Sequence, residues 1–354
     1  MKITGVEIWQ QVMPLKVPYT IAYETYSSVT AVFIRIETDS QLSGFGTAAP
    51  DFHVTGETPE SVFECLENII KPLLLHKEAL RYLYLADKIK KLIPQNRAAR
   101  AAVDMALYDV LGKYARLPVW KLLGGFRQRI ATSLTIGILP LNETLEMAEK
   151  YIKLGAKILK LKGGISLEGD LEKLYKIREK FGAGIRLRFD ANQGFSEFDS
   201  FQFIKAIEEI NIELLEQPVP IGNSVIMGNI SRKSTIPIMA DESILGLNDA
   251  FHLVKHDFID MINIKLMKTG GLTDAIHINS IGRAAGVEVM VGCMDESALG
   301  IAAGLHLALS RPNIIYADLD GHFDVENDPA ENLLAFKKGY LYPNTGYGFG
   351  WNGP

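Results

Sequence analysis

The chain has 354 residues, 47% of them hydrophobic and 22% charged, enough for a large core and more than one domain. With 37 basic against 42 acidic side chains, the net charge of −5 leaves no basic surplus for nucleic acid or anionic lipid. Two cysteines, no signal-like N-terminus and no apolar run of membrane length lead to the expectation of a reduced, cytoplasmic protein.

Residues 1 to about 55 alternate as an antiparallel sheet does, with strands expected at Thr4–Trp9 and Ala31–Ile36 around a tyrosine-rich stretch from Val17 to Tyr26. Thr58-Pro59-Glu60-Ser61 is a helix start, with a threonine cap, proline at the first position and acid in the first turn. The alanine-rich residues 97–115 read as helix, stopped near Arg116-Leu117-Pro118. Strands first and helices after make this third an α+β unit.

After Gly124-Gly125 the pattern becomes strand, helix, strand. Strands are expected at Ala131–Ile136, Ile158–Lys162, Ile185–Asp190, Ile212–Glu216, Ile236–Asp241, Asp260–Lys265, Glu288–Gly292 and Ile314–Asp318, with helices such as Leu141–Leu154 and Phe198–Ile210 between them. Eight alternating units predict an α/β fold with a parallel barrel rather than an open sheet. Lys162-Gly163-Gly164 and Thr269-Gly270-Gly271 match no nucleotide-binding glycine loop. Past about residue 320 a tail with Pro329, Pro343 and several glycines returns over the surface.

The barrel strands carry charge where apolar residues are the rule. In Leu159-Lys160-Leu161-Lys162 the leucines share one face and the lysines the other. Two lysines on an inner face call for an anion to meet them. Asp190, Glu216 and Asp241 then end three successive strands, one strand-plus-helix unit apart, at the C-terminal mouth where barrel enzymes keep their chemistry. Singly, each reads as a helix cap or a surface residue. Together they would repel unless protons or a cation neutralised them, and an all-oxygen set favours magnesium, with manganese as the alternative. Lys265 ends strand six, across the mouth from Lys162. A lysine beside a divalent cation and another ammonium is expected to have a lowered pKa, as a general base at neutral pH requires. Lys268 lies beyond the strand end and reads as loop or surface.

Lys160-Leu-Lys162, Asp190-Ala-Asn192, Glu216-Gln-Pro218, Asp241-Glu-Ser243 and Lys265, in this order, resemble the enolase superfamily in its muconate-lactonising-enzyme subgroup, over nearly the whole chain. The resemblance implies a TIM-like (β/α)7β barrel at residues 126–320. It also implies an α+β capping domain at 1–125, closed over the site by its tyrosine-rich loop, and a tail, 321–354, that completes the cap. Strand seven, Val289 to Met294, has no histidine, which argues against the acid-sugar dehydratase branch. On strand eight Asp318 and Asp320 share a face, and Asp-x-Asp there is similar to the dipeptide epimerases, in which it holds the substrate's free ammonium. Thr135 matches a substrate-contacting position of that family, and Cys293 and Asp295 join the expected substrate contacts.

The resemblance thus implies an isomerase that converts L,L-dipeptides to L,D-dipeptides. Lys162 or Lys265 removes the α-proton of the C-terminal residue, the metal and Lys160 stabilise the enediolate, and the opposite lysine returns a proton to the other face. Members acting on Ala-Glu carry an arginine in the capping loop where this sequence has Glu24, so hydrophobic or cationic side chains are expected in place of glutamate. Asp295 is a second acceptor for a cationic one. The same scaffold also serves N-acylamino-acid racemases, o-succinylbenzoate synthases and muconate cycloisomerases, whose substrates lack the free ammonium. A non-catalytic metal- or ligand-binding barrel is the remoter alternative. Family members are often homo-oligomers, so a homo-oligomer is the inherited expectation.

Overall fold

The computed structural model describes residues 1–20 and 25–354, the side chains of 17–20 and 25–26 excepted. Glu24, Tyr23 and Ile21, and the side chains of Tyr19 and Tyr26, lie outside the described residues. Strands β1 (Ile3–Thr20), β2 (Thr25–Thr38) and β3 (Ser43–Ala48) form an antiparallel sheet in that order. Helices α1 (Phe52–Thr55), α2 (Pro59–Cys65), α3 (Lys71–Leu74), α4 (Tyr82–Leu92), α5 (Arg97–Ala115) and α6 (Val119–Leu122) follow, α2 running on through a wider turn, Leu66–Ile70, into α3. The Thr58 hydroxyl accepts from the Ser61 amide at 3.2 Å and Ser61 returns the bond, so the expected helix start is a capping box.

Most of α5 is buried, because β3 lies across one side of it and the barrel across the other. Its alanines let the strand approach closely. In return, a Cβ on Gly46 would strike the Ala102 carbonyl and one on Gly44 the Ala106 carbonyl. Gly46→Ala is therefore expected to destabilise the protein by about 1–3 kcal/mol, since the obstacle is backbone and cannot yield. Urea unfolding, followed by circular dichroism, measures this.

Eight parallel strands make the barrel: β5 (Leu134–Ile136), β6 (Ile158–Lys162), β7 (Arg186–Asp190), β8 (Ile212–Glu216), β9 (Ile238–Ala240), β10 (Met261–Ile264), β11 (Glu288–Gly292) and β12 (Ile314–Asp318), hydrogen-bonded in sequence order. Helices α7 (Leu141–Leu154), α8 (Leu167–Phe181), α9 (Glu197–Ala206), α10 (Ser224–Lys233), α11 (Leu247–Lys255), a short α12 (Leu266–Thr269), α13 (Leu272–Ala285) and α14 (Ala298–Ser310) fill the crossovers, which gives the (β/α)7β pattern. Leu214, Met239, Met261 and Met290 pack inside with Tyr316 and plug the interior beneath the mouth.

The first expected barrel strand, Ala131–Ile136, is divided. Ile130–Ala131 forms β4, which pairs with the tail. The break falls at Thr132 and Ser133, which bond to the last strand instead: the Ser133 amide donates to the Ala317 carbonyl and the Leu319 amide to the Thr132 hydroxyl. No ladder between β5 and β12 is found among the described residues, so this joint is made largely by side chains. The helix expected at Phe198–Ile210 ends at Ala206, where Ile207 leaves helical geometry, and Asn211 turns the chain with φ 58°.

Strands β13 (Leu334–Lys337) and β14 (Tyr340–Pro343) form a hairpin on β4. The tail then reaches the cap, where Trp351 packs on Phe45 and Phe33 and the Phe349 amide donates to Asp109. No helix among the described residues is long and apolar enough to cross a membrane.

Candidate active site

Strand alternation delivers the expected side chains to one place. A cavity of about 330 Å³ lies between the barrel mouth and the cap, and Thr135, Lys160, Lys162, Asp241, Lys265, Cys293, Asp295, Asp318 and Asp320 all line it. Its roof is Met13, Leu15, Val29, Phe52 and Val54, with Asp51 and Asp324 at its edge. The β1 backbone ties to the tail beside Asp324 through the Lys16 amide and the Asp324 carbonyl. Asp190 and Glu216, both fully buried, lie below the cavity floor.

At the floor, the Lys160 ammonium stands 3.0 Å from Asp190, 2.7 Å from Glu216 and 2.9 Å from Asp318. Lys265 stands 2.7 Å from Asp241. Each of the three strand-end carboxylates gives one oxygen to its own chain. Asp190 Oδ1 accepts from the Asn192 amide, Glu216 Oε1 from Asn263 Nδ2, and Asp241 Oδ1 from Lys268. The second oxygens, Asp190 Oδ2, Glu216 Oε2 and Asp241 Oδ2, are buried and meet lysine ammoniums, Lys160 for the first two and Lys265 for the third. Buried carboxylate oxygens call for a cation.

No cluster of three or more His, Cys, Asp or Glu side chains poised to hold a metal is found among the described residues. The chemistry nevertheless fits a hard divalent cation: three carboxylates on neighbouring strands, each with one oxygen that meets a lysine ammonium here.

The charges are strongly coupled. Burial and the neighbouring Asp190 push Glu216 up to about 8. Burial would raise Asp241 too, yet Lys265, Lys268 and Lys160 hold it well below the carboxylate range. Burial would lower Lys160, but Asp190, Asp318 and Glu216 hold it well above an ordinary lysine. Lys265 departs from expectation. Burial pulls it down, but Asp241 outweighs that and raises it, so the chain's own charges do not supply the lowered pKa of a base.

Lys268 also corrects the sequence reading. It is fully buried, held between the Asp241 carboxylate and carbonyl, because α12 turns at once after β10 and folds it back beneath the site. The spacing Lys265-x-x-Lys268, one helical turn, was the available signal. Two further residues, Gln217 and Asn192, stand in the quoted motifs, but the sequence does not give their part. Gln217 (φ 35°) accepts from the Asp241 and Ser243 amides at 3.0 and 3.1 Å, so the residue after one carboxylate fixes the turn that carries the next. Asn192 (φ 43°) donates to Glu242, a buried carboxylate that burial and Asp241 push up to about 7. Left-handed backbone next to two ligand-type carboxylates is the strain that a functional site tolerates.

At the far end, Asp318 and Asp320 part company. Asp318 is committed to the chain, bonded to Ser133 at 2.6 Å and to Lys160, which hold it down at about 2 against its burial. Asp320 takes the Thr135 amide, lies 3.9 Å from the Cys293 sulfur, and is pushed up to about 7 by burial and by Asp318.

Residues 3–124 match the mandelate racemase / muconate lactonizing enzyme N-terminal domain, and residues 143–352 match the enolase C-terminal domain-like family. A hydrophobic dipeptide epimerase of Enterococcus faecalis is 39% identical over 93% of this chain and 93% of its own. An L-Lys-D/L-Arg epimerase of Desulforapulum autotrophicum is 36% identical over 99% of both chains. The structure of the Methylococcus capsulatus dipeptide epimerase, complexed with Mg and the dipeptide L-Arg-D-Lys, superposes with a TM-score of 0.95 at 37% identity, covering 99% of each chain.

Proposed function

Because this chain belongs to the mandelate racemase / muconate lactonizing enzyme family of the enolase superfamily, we propose that it is an isomerase that epimerises L,L-dipeptides to L,D-dipeptides at the α-carbon of the C-terminal residue. The observation that carries the reading is topological. Lys162 ends β6 and Lys265 follows β10; in the strand order β7, β8 and β9 lie between them, half-way round an eight-stranded ring, and both lysines line the same cavity. A carbon held between them has a proton carrier on each face, which is what inversion by removal and return requires.

Asp190, Glu216 and Asp241 would hold the metal, Mg²⁺ by its presence in the Methylococcus complex. A divalent cation there would draw the substrate carboxylate and offset the negative charge that grows as the α-proton leaves. Lys160 adds a fixed positive charge at the floor, pre-organised by its three carboxylate contacts. Thr135 and Asp320 stand where the free ammonium would lie, and Asp318 keeps Asp320 poised. The cavity's volume suits a dipeptide. Its roof of Met13, Leu15, Val29 and Phe52, edged by Asp51, Asp295 and Asp324, favours hydrophobic or cationic side chains over acidic ones.

The direct test is a library of L,L-dipeptides incubated with magnesium in heavy water. Deuterium is expected at the α-carbon together with the L,D product, for hydrophobic and cationic members but not for Ala-Glu. No incorporation with any member sinks the reading.

The ammonium subsite has a pH signature. Only ionised Asp320 attracts an ammonium, and its pKa lies near 7, so kcat/KM is expected to fall as pH drops through that value. Asp320→Asn should remove this limb of the profile along with most of the affinity. A profile flat from pH 8 to 6 in the wild-type protein contradicts the assignment.

A further inference from the structure

The turn that carries Lys265 is held from two sides. Lys265 leads into α12, whose Lys268 and Thr269 amides return to the Lys265 carbonyl at 3.0 and 3.1 Å; Gly270 and Gly271 (φ 88° and 110°) then open α13. On the barrel side, Lys265 and Lys268 both anchor this turn to Asp241. On the other side the cap grips it. Helix α5 packs on α12 and α13, and its Asp104 accepts from the Thr273 amide at 3.0 Å and from the Thr273 hydroxyl at 2.6 Å.

The fit is close enough to demand glycine. A Cβ on Gly271 would stand 2.5 Å from the Asp104 carboxylate, and one on Gly270 would stand 2.6 Å from the Arg100 guanidinium. Arg100 in turn lies 3.5 Å from Asp274, one residue past Thr273. From the end of β3 the Ala49 amide donates to the Met267 sulfur, within α12 itself. Asp104 and Arg100 are both buried, and neither lines the substrate cavity; they face a separate cavity behind the turn. Lys162 is fixed differently. It lies on the β6–β7 ladder opposite Asp190, where neighbouring strands set its place.

We infer that Asp104 is a positioning residue for Lys265: through Thr273 the cap sets, from behind, the reach of one of the two proton-carrying lysines and not of the other. The inference rests on the dipeptide-epimerase reading, and it gives the cap a part in the proton transfer separate from roofing the cavity. Displacing a reacting group by about 1 Å costs on the order of 100-fold in rate.

The experiment is isotope exchange on the whole enzyme with magnesium, in heavy water, using L-Leu-L-Tyr and L-Leu-D-Tyr as probes. Each isomer presents its α-proton to a different lysine, which can return deuterium to the same face without inversion. In Asp104→Asn and in Thr273→Val, exchange of the isomer served by Lys265 should slow by about 100-fold, and inversion with it. Exchange served by Lys162 should continue at the wild-type rate with KM little changed, and Thr273→Ser, which keeps the hydroxyl, should retain exchange of both isomers. Equal slowing of both isomers, or slowing of neither, overturns the inference. A wild-type protein that exchanges neither probe nor any other dipeptide overturns the epimerase reading and takes this inference with it. Thr273→Val decides the matter if Asp104→Asn does not fold.

Discussion

Replacing either Lys162 or Lys265 by alanine is expected to lower epimerisation by about 10²–10⁴-fold, the range that a positioned acid–base group contributes. The two losses should differ in kind. With Lys265 gone, Lys162 still faces one isomer and can exchange its α-proton without inverting it; with Lys162 gone, the other isomer keeps its exchange. The opposed placement of the strands, half-way round the ring, is what separates the two outcomes. Proton NMR in heavy water, run from each isomer in turn, reads both. Near-normal inversion by either variant would refute the assignment of two carriers.

The second large effect concerns stability. Lys160 is 2% exposed and is, among the described residues, the one cation paired with all of Asp190, Glu216 and Asp318. Lys160→Met keeps the bulk of the stem and removes the charge, leaving buried carboxylates to face one another. A loss of about 3–5 kcal/mol is expected, the cost of stranding the partners of a buried pair. Protonation relieves some of it, so the variant should regain stability relative to wild type as pH falls, most of all through Asp318, which Lys160 holds down at about 2 in the wild-type protein. Magnesium should raise the melting temperature of the variant more than that of the wild-type protein. Thermal unfolding at several pH values and magnesium concentrations checks both, and a variant as stable as wild type at neutral pH would mean that the three carboxylates do not depend on Lys160.

Much of this site can be read from residue order alone, for a definite reason. Period-two alternation put Lys160 and Lys162 on the inner face of β6, and the regular strand-plus-helix unit put Asp190, Glu216 and Asp241 at one height. What could not be read depends on closeness that no periodicity encodes. Strand β3, Ser43–Ala48, was not expected as a separate strand, since its Gly-Phe-Gly core is poor in strand-forming residues and exists to let α5 approach. Lys268 looked like a surface lysine because nothing in Met267-Lys268-Thr269-Gly270 announces that α12 folds back under Asp241. Arg188, inside the barrel and bonded to the Ala317 carbonyl and to Ser133, shares the face of Asp190 by the same alternation, but its partners across the barrel are named by no periodicity. The reversal at Lys265 has a similar root, since a pKa depends on the sum of neighbours, and Asp241 at 2.7 Å dominates that sum.

The unlaced joint between β5 and β12 bears on how such a protein could change its diet. Thr135, Asp318 and Asp320 hang on this joint, where Thr132 and Ser133 contribute side-chain bonds and a single backbone one in place of a ladder. The lysines and strand-end carboxylates grow from strands stitched on both edges, and moving one of them disturbs its neighbours. A mutation along the joint alters what is gripped at the amino end of a substrate while the stitched portion holds still. Novelty in substrate choice is thus cheapest where the cylinder is least continuous, and the proton-handling apparatus can pass through such experiments unaltered.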